Sequence, residues 1–284
     1  MKLAITFLLS ITFISVSSQA LSNFEKYDKL VRQAMIQYTN KEYESSLDNF
    51  RKAFKIIPDD LVDDYFYAAA AALNLDNDAE AEKLIIESIR LTNASKDYFL
   101  NFEAFNPFRS KKLFQNITDD YEKHQAIFFN NLAHPKIYKE IDSLFKSDQN
   151  VRNNGGDLAE TDTKNINRLI AITKQYGWQS RAWTILWHQR GTYGERNYVW
   201  DFFKPYIDEQ IKIGKMRKDF WAMFEDEKSI ERTGKQIYGL YWSQYDDWPI
   251  IDIESVDKRR ESVGLPPLWY LNHVYGIKLP KEYK

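Results

Sequence analysis

Residues able to perform acid–base chemistry occur in the C-terminal half of this 284-residue chain. His188 is one of only four histidines, and it follows an apolar stretch that contains Trp183, Leu186 and Trp187. An imidazole titrates near neutral pH, so His188 is a candidate general acid or base. The alternative is a neutral, hydrogen-bonded histidine in the core.

A carboxylate that could work with this histidine lies in a later helix, predicted over residues 215–230. Asp226 projects at the edge of the apolar stripe of that helix, where a carboxylate is costly unless it is paired. We therefore expect either a catalytic pair of His188 and Asp226 or a buried structural salt bridge. The candidate partners of Asp226 are Arg152, His188, Arg259 and Arg260.

A second polar group lies on the helix predicted over residues 135–153. Asp148 and Arg152 are four residues apart and share one face of that helix. Arg152 could hold an anionic or polar group of a substrate, steadied by Asp148 and Gln149; the alternative is a surface ion pair. The predicted substrate-binding residues are Asp148, Gln149, Arg152, Gln236, Tyr238, Arg259 and Arg260.

Two segments near the C-terminus, residues 235–243 and 248–253, are rich in Tyr, Trp and Ile. A polar turn at residues 244–247 separates them, which predicts a short β-hairpin or two extended segments. In an extended segment Gln236 and Tyr238 point to the same side. Gly239 would permit a positive φ angle or a close backbone approach.

The rest of the chain predicts a mainly α protein, because it has only 10 Gly and 8 Pro and long amphipathic runs. Residues 24–57 and 61–91 each read as a helical hairpin, and small residues such as Ser46 and Ala81 recur about 35 positions apart. These hairpins resemble tetratricopeptide repeats. The resemblance implies a concave face that binds a protein or peptide partner; the alternative is a scaffold against which the C-terminal helices pack.

The predicted domain organisation has four parts. Residues 1–20 form a signal peptide, and residues 21–95 form the tetratricopeptide-like helical repeats. Residues 96–135 supply connecting or capping helices. Residues 136–284 form a C-terminal helical domain that carries the short β-hairpin and the polar motifs.

The region from about residue 141 to residue 270 resembles a bacterial domain family of unknown function, frequent in exported proteins of Bacteroidetes. The family pattern is D-Q-x-x-R, a helix ending in G-W, then Q-H, D-R, Q-x-Y-G-T-Q, V-D-x-R-R and G-L-x-P-L. This chain departs from the pattern at Trp187, Glu227, Leu240 and Tyr241. The resemblance implies no particular reaction. The matching residues are Asp148, Gln149, Arg152, Gly177, Trp178, His188, Asp226, Gln236, Tyr238, Gly239, Asp257, Arg259, Arg260, Gly264 and Leu265.

The N-terminus indicates export. Lys2 precedes an apolar run over residues 3–16, and small residues at Ser18 and Ala20 predict cleavage after about Ala20. The alternative is an uncleaved membrane anchor, for which the run is short. We expect a periplasmic or secreted protein with no transmembrane segment in the mature chain.

Composition narrows the function classes further. The chain has no Cys, a net charge of −2 and a pI near 6.2, so neither a disulfide framework nor a nucleic-acid partner is expected. The spacing of the histidines predicts no metal site, and no cofactor motif occurs.

The sequence supports two functional hypotheses. The first is an exported enzyme-like domain with a polar pocket, in which His188 and Asp226 transfer protons and Arg152 holds the substrate. Water-mediated hydrolysis is the reaction that demands least of such a site. The second is a non-catalytic interaction protein whose repeats bind a partner and whose polar residues form a buried structural network. Access of solvent to the polar residues discriminates between the two hypotheses.

Overall fold

The computed structural model describes residues 21–58 and 61–284, and these residues are organised mainly as helices. The prediction of a mainly α protein is confirmed. The predicted signal peptide lies outside the described residues. The α-helices are α1 (Asn23–Thr39), α2 (Tyr43–Phe54), α3 (Val62–Asn74), α4 (Asp78–Thr92), α5 (Lys96–Asn101), α6 (Lys112–Asp119), α7 (Tyr121–Asn131), α8 (Pro135–Asn154), α9 (Leu158–Tyr176), α10 (Trp183–Trp187), α11 (Tyr198–Lys212), α12 (Ala222–Thr233), α13 (Val256–Ser262) and α14 (Leu268–Tyr275).

The first four helices form two packed pairs, α1 with α2 and α3 with α4, over the residues for which the sequence predicts helical hairpins. α1 begins with a capping box, in which Ser22 and Glu25 satisfy each other's backbone amides. On α3, Ala69 and Ala72 are fully buried, and their small side chains let neighbouring helices approach closely. The assignment of the pairs to the tetratricopeptide family stays a prediction.

The last helix returns to the N-terminal pairs. α14 packs against α1, and Tyr270 of α14 is buried in the same core as Phe66 of α3. Arg32 of α1 donates to the carbonyl of Gly264, and Arg217 pairs with Asp28 of α1. The N-terminal helices and the C-terminal region are therefore joined both by a shared core and by polar contacts.

A second apolar core lies among α8, α9, α10, α11 and α12. Ile141, Leu169, Leu186, Phe203 and Phe224, one from each of these helices, are at most 1% exposed. This core fixes the positions of α8 and α12, the two helices that carry Asp148 and Asp226.

The prediction of a β-hairpin near residues 235–253 is wrong. Within the described part of the chain, the only pairing of this kind is an isolated parallel bridge between Gln236 and Ile250. The amides of Ile237, Tyr238 and Leu240 donate to the carboxylate of Asp226, so they are not available to a strand ladder. The segment wraps around a buried side chain instead of pairing with a neighbour.

Candidate functional site

Three of the predicted site residues surround a fourth, Asp148 on α8. Its Oδ1 atom lies 2.9 Å from Nη1 of Arg152 and 2.9 Å from Nδ1 of His188. Its Oδ2 atom accepts from Nε2 of Gln149 at 2.8 Å. Because a carboxylate can only accept, the contact assigns a proton to Nδ1 of His188. Asp148 is 1% exposed, whereas the His188 side chain is 14% exposed.

Arg152 is held between two carboxylates. Besides Asp148, its Nη2 atom donates to both carboxylate oxygens of Asp162, at 2.8 and 2.9 Å. Two negative groups therefore already surround the guanidinium, which reduces its ability to attract an anionic substrate. Asp162 was not expected in this cluster, because it lies on α9 and the sequence does not show which face of α9 meets α8.

Asp226 on α12 is completely buried and binds backbone amides. Its Oδ1 atom accepts from the amides of Ile237 and Tyr238 at 2.6 and 2.7 Å, and its Oδ2 atom accepts from Leu240 at 2.9 Å. Burial raises the pKa of Asp226, while these three hydrogen bonds oppose the rise. By accepting these three amides, the carboxylate fixes the backbone of the 237–240 segment, as an anion bound by loop amides would.

Gln236 and Tyr238 continue this second cluster. The side chain of Gln236 donates to the carbonyl of Trp248 at 2.7 Å and accepts from the amide of Tyr241 at 2.8 Å. The Tyr238 hydroxyl donates to Glu225 at 2.7 Å. Gln236 is 0% exposed and Tyr238 is 8% exposed, so solvent has little access to either.

The two arginines of α13 bind carbonyl oxygens. Arg260 is 1% exposed and donates to the carbonyls of Tyr238 and Pro266, each at 2.5 Å. Arg259 donates from Nε to the carbonyl of Ile237 at 3.1 Å and contacts Asp252. Burial lowers the pKa of Arg260. Both guanidiniums thus tie α13 to the segment that Asp226 also binds.

The structure groups the predicted site residues into two clusters. Asp148, Gln149, Arg152 and His188 form the first; Asp226, Gln236, Tyr238, Arg259 and Arg260 form the second. The carboxylate bonded to His188 is Asp148, and the acceptor positions of Asp226 are occupied by backbone amides. A catalytic role for His188 and Asp226 stays a prediction.

A feature that sequence reasoning missed is a pocket of about 730 Å³, open to solvent, between α1, α10, α11 and the start of α12. We call it the aromatic pocket. Its volume lies within the range of about 300–1,000 Å³ that is usual for small-molecule sites. The lining residues are Phe24, Gly177, Trp178, Ser180, Trp183, Tyr206, Gln210, Lys215, Met216, Arg217, Asp219, Phe220, Met223, Leu240 and Leu265.

Ring contacts and one hydrogen bond hold the walls of the aromatic pocket in place. The amide of Trp178 donates to the Tyr206 hydroxyl at 3.1 Å, and the Trp178 ring meets Phe220 edge to face at 5.5 Å. Trp183 stacks on Trp187 with ring centroids 5.3 Å apart. The pocket is therefore largely formed before a ligand arrives, which limits the ordering cost of binding.

Asp219 is the one acidic side chain among the described residues that line the aromatic pocket. Burial raises the pKa of its carboxyl, while the nearby Arg217 opposes the rise. The sequence did not predict this pocket. An aromatic residue that lines an open pocket and one that fills a core have the same helical spacing, so periodicity does not separate them.

The comparisons with known proteins find no relative: no family model, no curated protein and no solved structure matches the chain. Within residues 21–58 and 61–284, no three His, Asp or Glu side chains are grouped so that they could hold a metal ion. No helix of the described part of the chain combines the length and apolar character needed to cross a bilayer.

Proposed function

We propose that this is an exported, non-catalytic binding protein that holds an apolar ligand in the aromatic pocket. The observation that carries the proposal is a contrast in solvent access. The aromatic pocket is open, whereas Asp148, Asp226, Gln236 and Arg260 are at most 1% exposed. A buried polar group bonded within the protein contributes to a unique fold but is not available to a ligand.

The polar clusters are proposed to act as structural networks. Asp226 fixes the 237–240 segment, and Leu240 of that segment lines the aromatic pocket. Arg260 binds the carbonyl of Pro266, next to Leu265, which also lines it. The motif residues would thereby support two wall residues without touching the ligand.

The N-terminal pairs are proposed to serve mainly as a scaffold. The packing of α14 against α1 supports this role, because it joins the N-terminal pairs and the C-terminal region in one core. Phe24 of α1 also contributes to the aromatic pocket. A further protein partner for the remaining surface of the pairs is proposed on the resemblance to tetratricopeptide repeats alone.

A second candidate function is acid–base catalysis by His188. The observation in its favour is the contact between His188 Nδ1 and Asp148 at 2.9 Å, since an oriented imidazole with a partly exposed ring can act as a general base. His188→Ala removes the imidazole and should leave ligand binding in the aromatic pocket unchanged, because His188 does not line that pocket. A hydrolytic activity that the wild type shows and His188→Ala lacks would support the second candidate.

The aromatic pocket can be tested with Nile red, a neutral dye whose emission rises in apolar surroundings. Ser180 is an exposed serine that lines the pocket, so Ser180→Trp fills the space without removing a core contact. We expect saturable binding of Nile red to the purified protein and at least a tenfold weaker affinity for Ser180→Trp, as measured by fluorescence titration.

The matched control is Ser243→Trp, which adds the same indole at an exposed serine of a different pocket, of about 340 Å³. We expect this variant to bind Nile red like the wild type and both variants to unfold at the wild-type temperature. Equal binding by wild type and Ser180→Trp would refute the proposed site.

A further inference from the structure

A second pocket adjoins the aromatic pocket. It has a volume of about 420 Å³ and is lined by residues of α4, α7 and α8, among them Phe128 and Tyr138. Trp178 and Ser180 line both pockets, so the two spaces lie on neighbouring sides of these residues. A ligand long enough to pass the exposed side chain of Ser180 would reach both spaces, which favours an elongated molecule over a compact one.

The charged groups that line these two pockets are mostly basic, although the whole chain carries a net charge of −2. Arg181, Lys215 and Arg217 line it, and Asp219 is the single acidic side chain among the described lining residues. Arg217 pairs with Asp28, and Arg181 pairs with Asp142 at 2.7 Å.

Lys215 differs from these two arginines. Within the described residues its ammonium group has no carboxylate partner, and its side chain is exposed at the edge of the aromatic pocket. A solvated ammonium group at the edge of an apolar space is positioned to meet an anion whose apolar part lies inside. The lining is thus complementary to a negatively charged ligand.

We infer that the ligand is a single-chain amphipathic carboxylate, with its apolar body against Trp178 and its anionic group at Lys215. The inference rests on the proposed function and adds the chemical class of the ligand. Asp219 is the one acidic side chain among the described residues of this lining, and Arg217, which lines the same pocket, offsets its negative charge.

The test compares two competitors with the same twelve-carbon chain and opposite charges, dodecanoate and dodecyltrimethylammonium. Each displaces Nile red from the purified protein at concentrations below its micelle threshold. We expect dodecanoate to displace the dye at a concentration at least about fivefold lower, the ratio that one favourable ionic contact at an exposed site supplies. The cationic competitor should compete through its chain alone.

Lys215→Glu reverses the charge at the proposed contact. We expect this variant to have at least about fivefold weaker affinity for dodecanoate and a stronger affinity for dodecyltrimethylammonium. The new carboxylate repels the first competitor and attracts the second. Lys212→Glu is the matched control. Lys212 is 76% exposed and pairs with Glu209, outside the lining of both pockets, so this variant should change either affinity less than twofold.

The outcomes separate the two levels of the proposal. If Nile red binds and Ser180→Trp abolishes binding, but both competitors act equally or the cation acts better, the charge class is wrong and the proposed function stands. If Lys215→Glu and Lys212→Glu behave alike, the contact at Lys215 is refuted. If Ser180→Trp leaves Nile red binding unchanged, the proposed function fails and this inference fails with it.

Discussion

Asp226 illustrates, at the scale of single residues, how a buried charge can serve the fold. Its two oxygens accept three backbone amides, and buried Arg260 binds the carbonyl of Tyr238 in the same segment. Burial alone would make this carboxylate costly, and the hydrogen bonds offset that cost. The same residue type in an active site would keep at least one oxygen free for the substrate.

Asp226→Ala should therefore destabilise the protein strongly. It leaves three amides without an acceptor, and we expect the free energy of unfolding to fall by about 3 kcal/mol or more. His188→Ala should lower the free energy of unfolding by less, because Asp148 keeps Arg152 and Gln149 as hydrogen-bond partners. Urea denaturation followed by circular dichroism measures both losses.

Asp246→Ala is the control for this experiment, since Asp246 is 68% exposed and its ion-pair partner is the exposed Lys281. Its stability should stay within about 0.5 kcal/mol of the wild type. An Asp226→Ala variant as stable as the wild type would instead mean that this carboxylate is retained for function at some cost to the fold.

Part of the first polar cluster was predictable from spacing. Asp148 and Arg152 are four residues apart on α8, and the structure joins them at 2.9 Å. The contacts of Arg152 with Asp162 and of Asp148 with His188 cross between elements. Such contacts depend on how the helices pack, and the periodicity of a single segment does not carry that information.

At the scale of elements, helices were predictable and the 235–253 segment was not. Long amphipathic runs specify helices locally, because side chains three and four residues apart share a face. The Tyr, Trp and Ile content of residues 235–243 favours a strand, but Asp226 of α12 accepts hydrogen bonds from the amides of Ile237, Tyr238 and Leu240. A tertiary contact overrides the local preference, as is usual for β propensity.

Gly239 makes this wrapped segment feasible. Its φ angle is +74°, and a Cβ atom placed there would lie 2.5 Å from Cδ1 of Ile250. Gly239→Ala should therefore lower the free energy of unfolding by about 1–2 kcal/mol because of the left-handed backbone, and the clash should add to this loss. We expect a total loss of about 3 kcal/mol, measured by urea denaturation.

Gly234→Ala separates the two contributions. Gly234 has a similar φ angle of +70°, but nothing lies within 4 Å of an added Cβ atom. This variant should show only the cost of the backbone conformation, about 1–2 kcal/mol. Equal losses for the two variants would show that the close approach of Ile250 is unimportant.

At the scale of the whole molecule, α14 couples the C-terminus to the N-terminal pairs. Tyr270 is 4% exposed and belongs to the core that contains the aromatic residues of α3. The division into an N-terminal repeat region and a C-terminal domain could be proposed from sequence. Their shared core could not, because a helix of eight residues has too short a pattern to reveal its packing partner.

Tyr270→Ala tests this coupling. Removing a buried aromatic side chain should cost about 3–5 kcal/mol. Hydrogen exchange measured by mass spectrometry should show faster exchange in α1, where α14 packs, than the wild type shows. Tyr198→Ala is a control at a tyrosine that is 53% exposed, and it should leave exchange in α1 unchanged. Unaltered exchange in α1 of Tyr270→Ala would mean that the two regions are energetically independent.

The aromatic pocket also belongs to this scale, since its walls come from α1, α10, α11 and α12. A Nile red titration of the wild type, Ser180→Trp and His188→Ala shows whether the aromatic pocket is the ligand site. We expect saturable binding by the wild type and His188→Ala and at least tenfold weaker binding by Ser180→Trp. Binding that survives Ser180→Trp, or that is lost in a folded His188→Ala variant, would contradict this expectation.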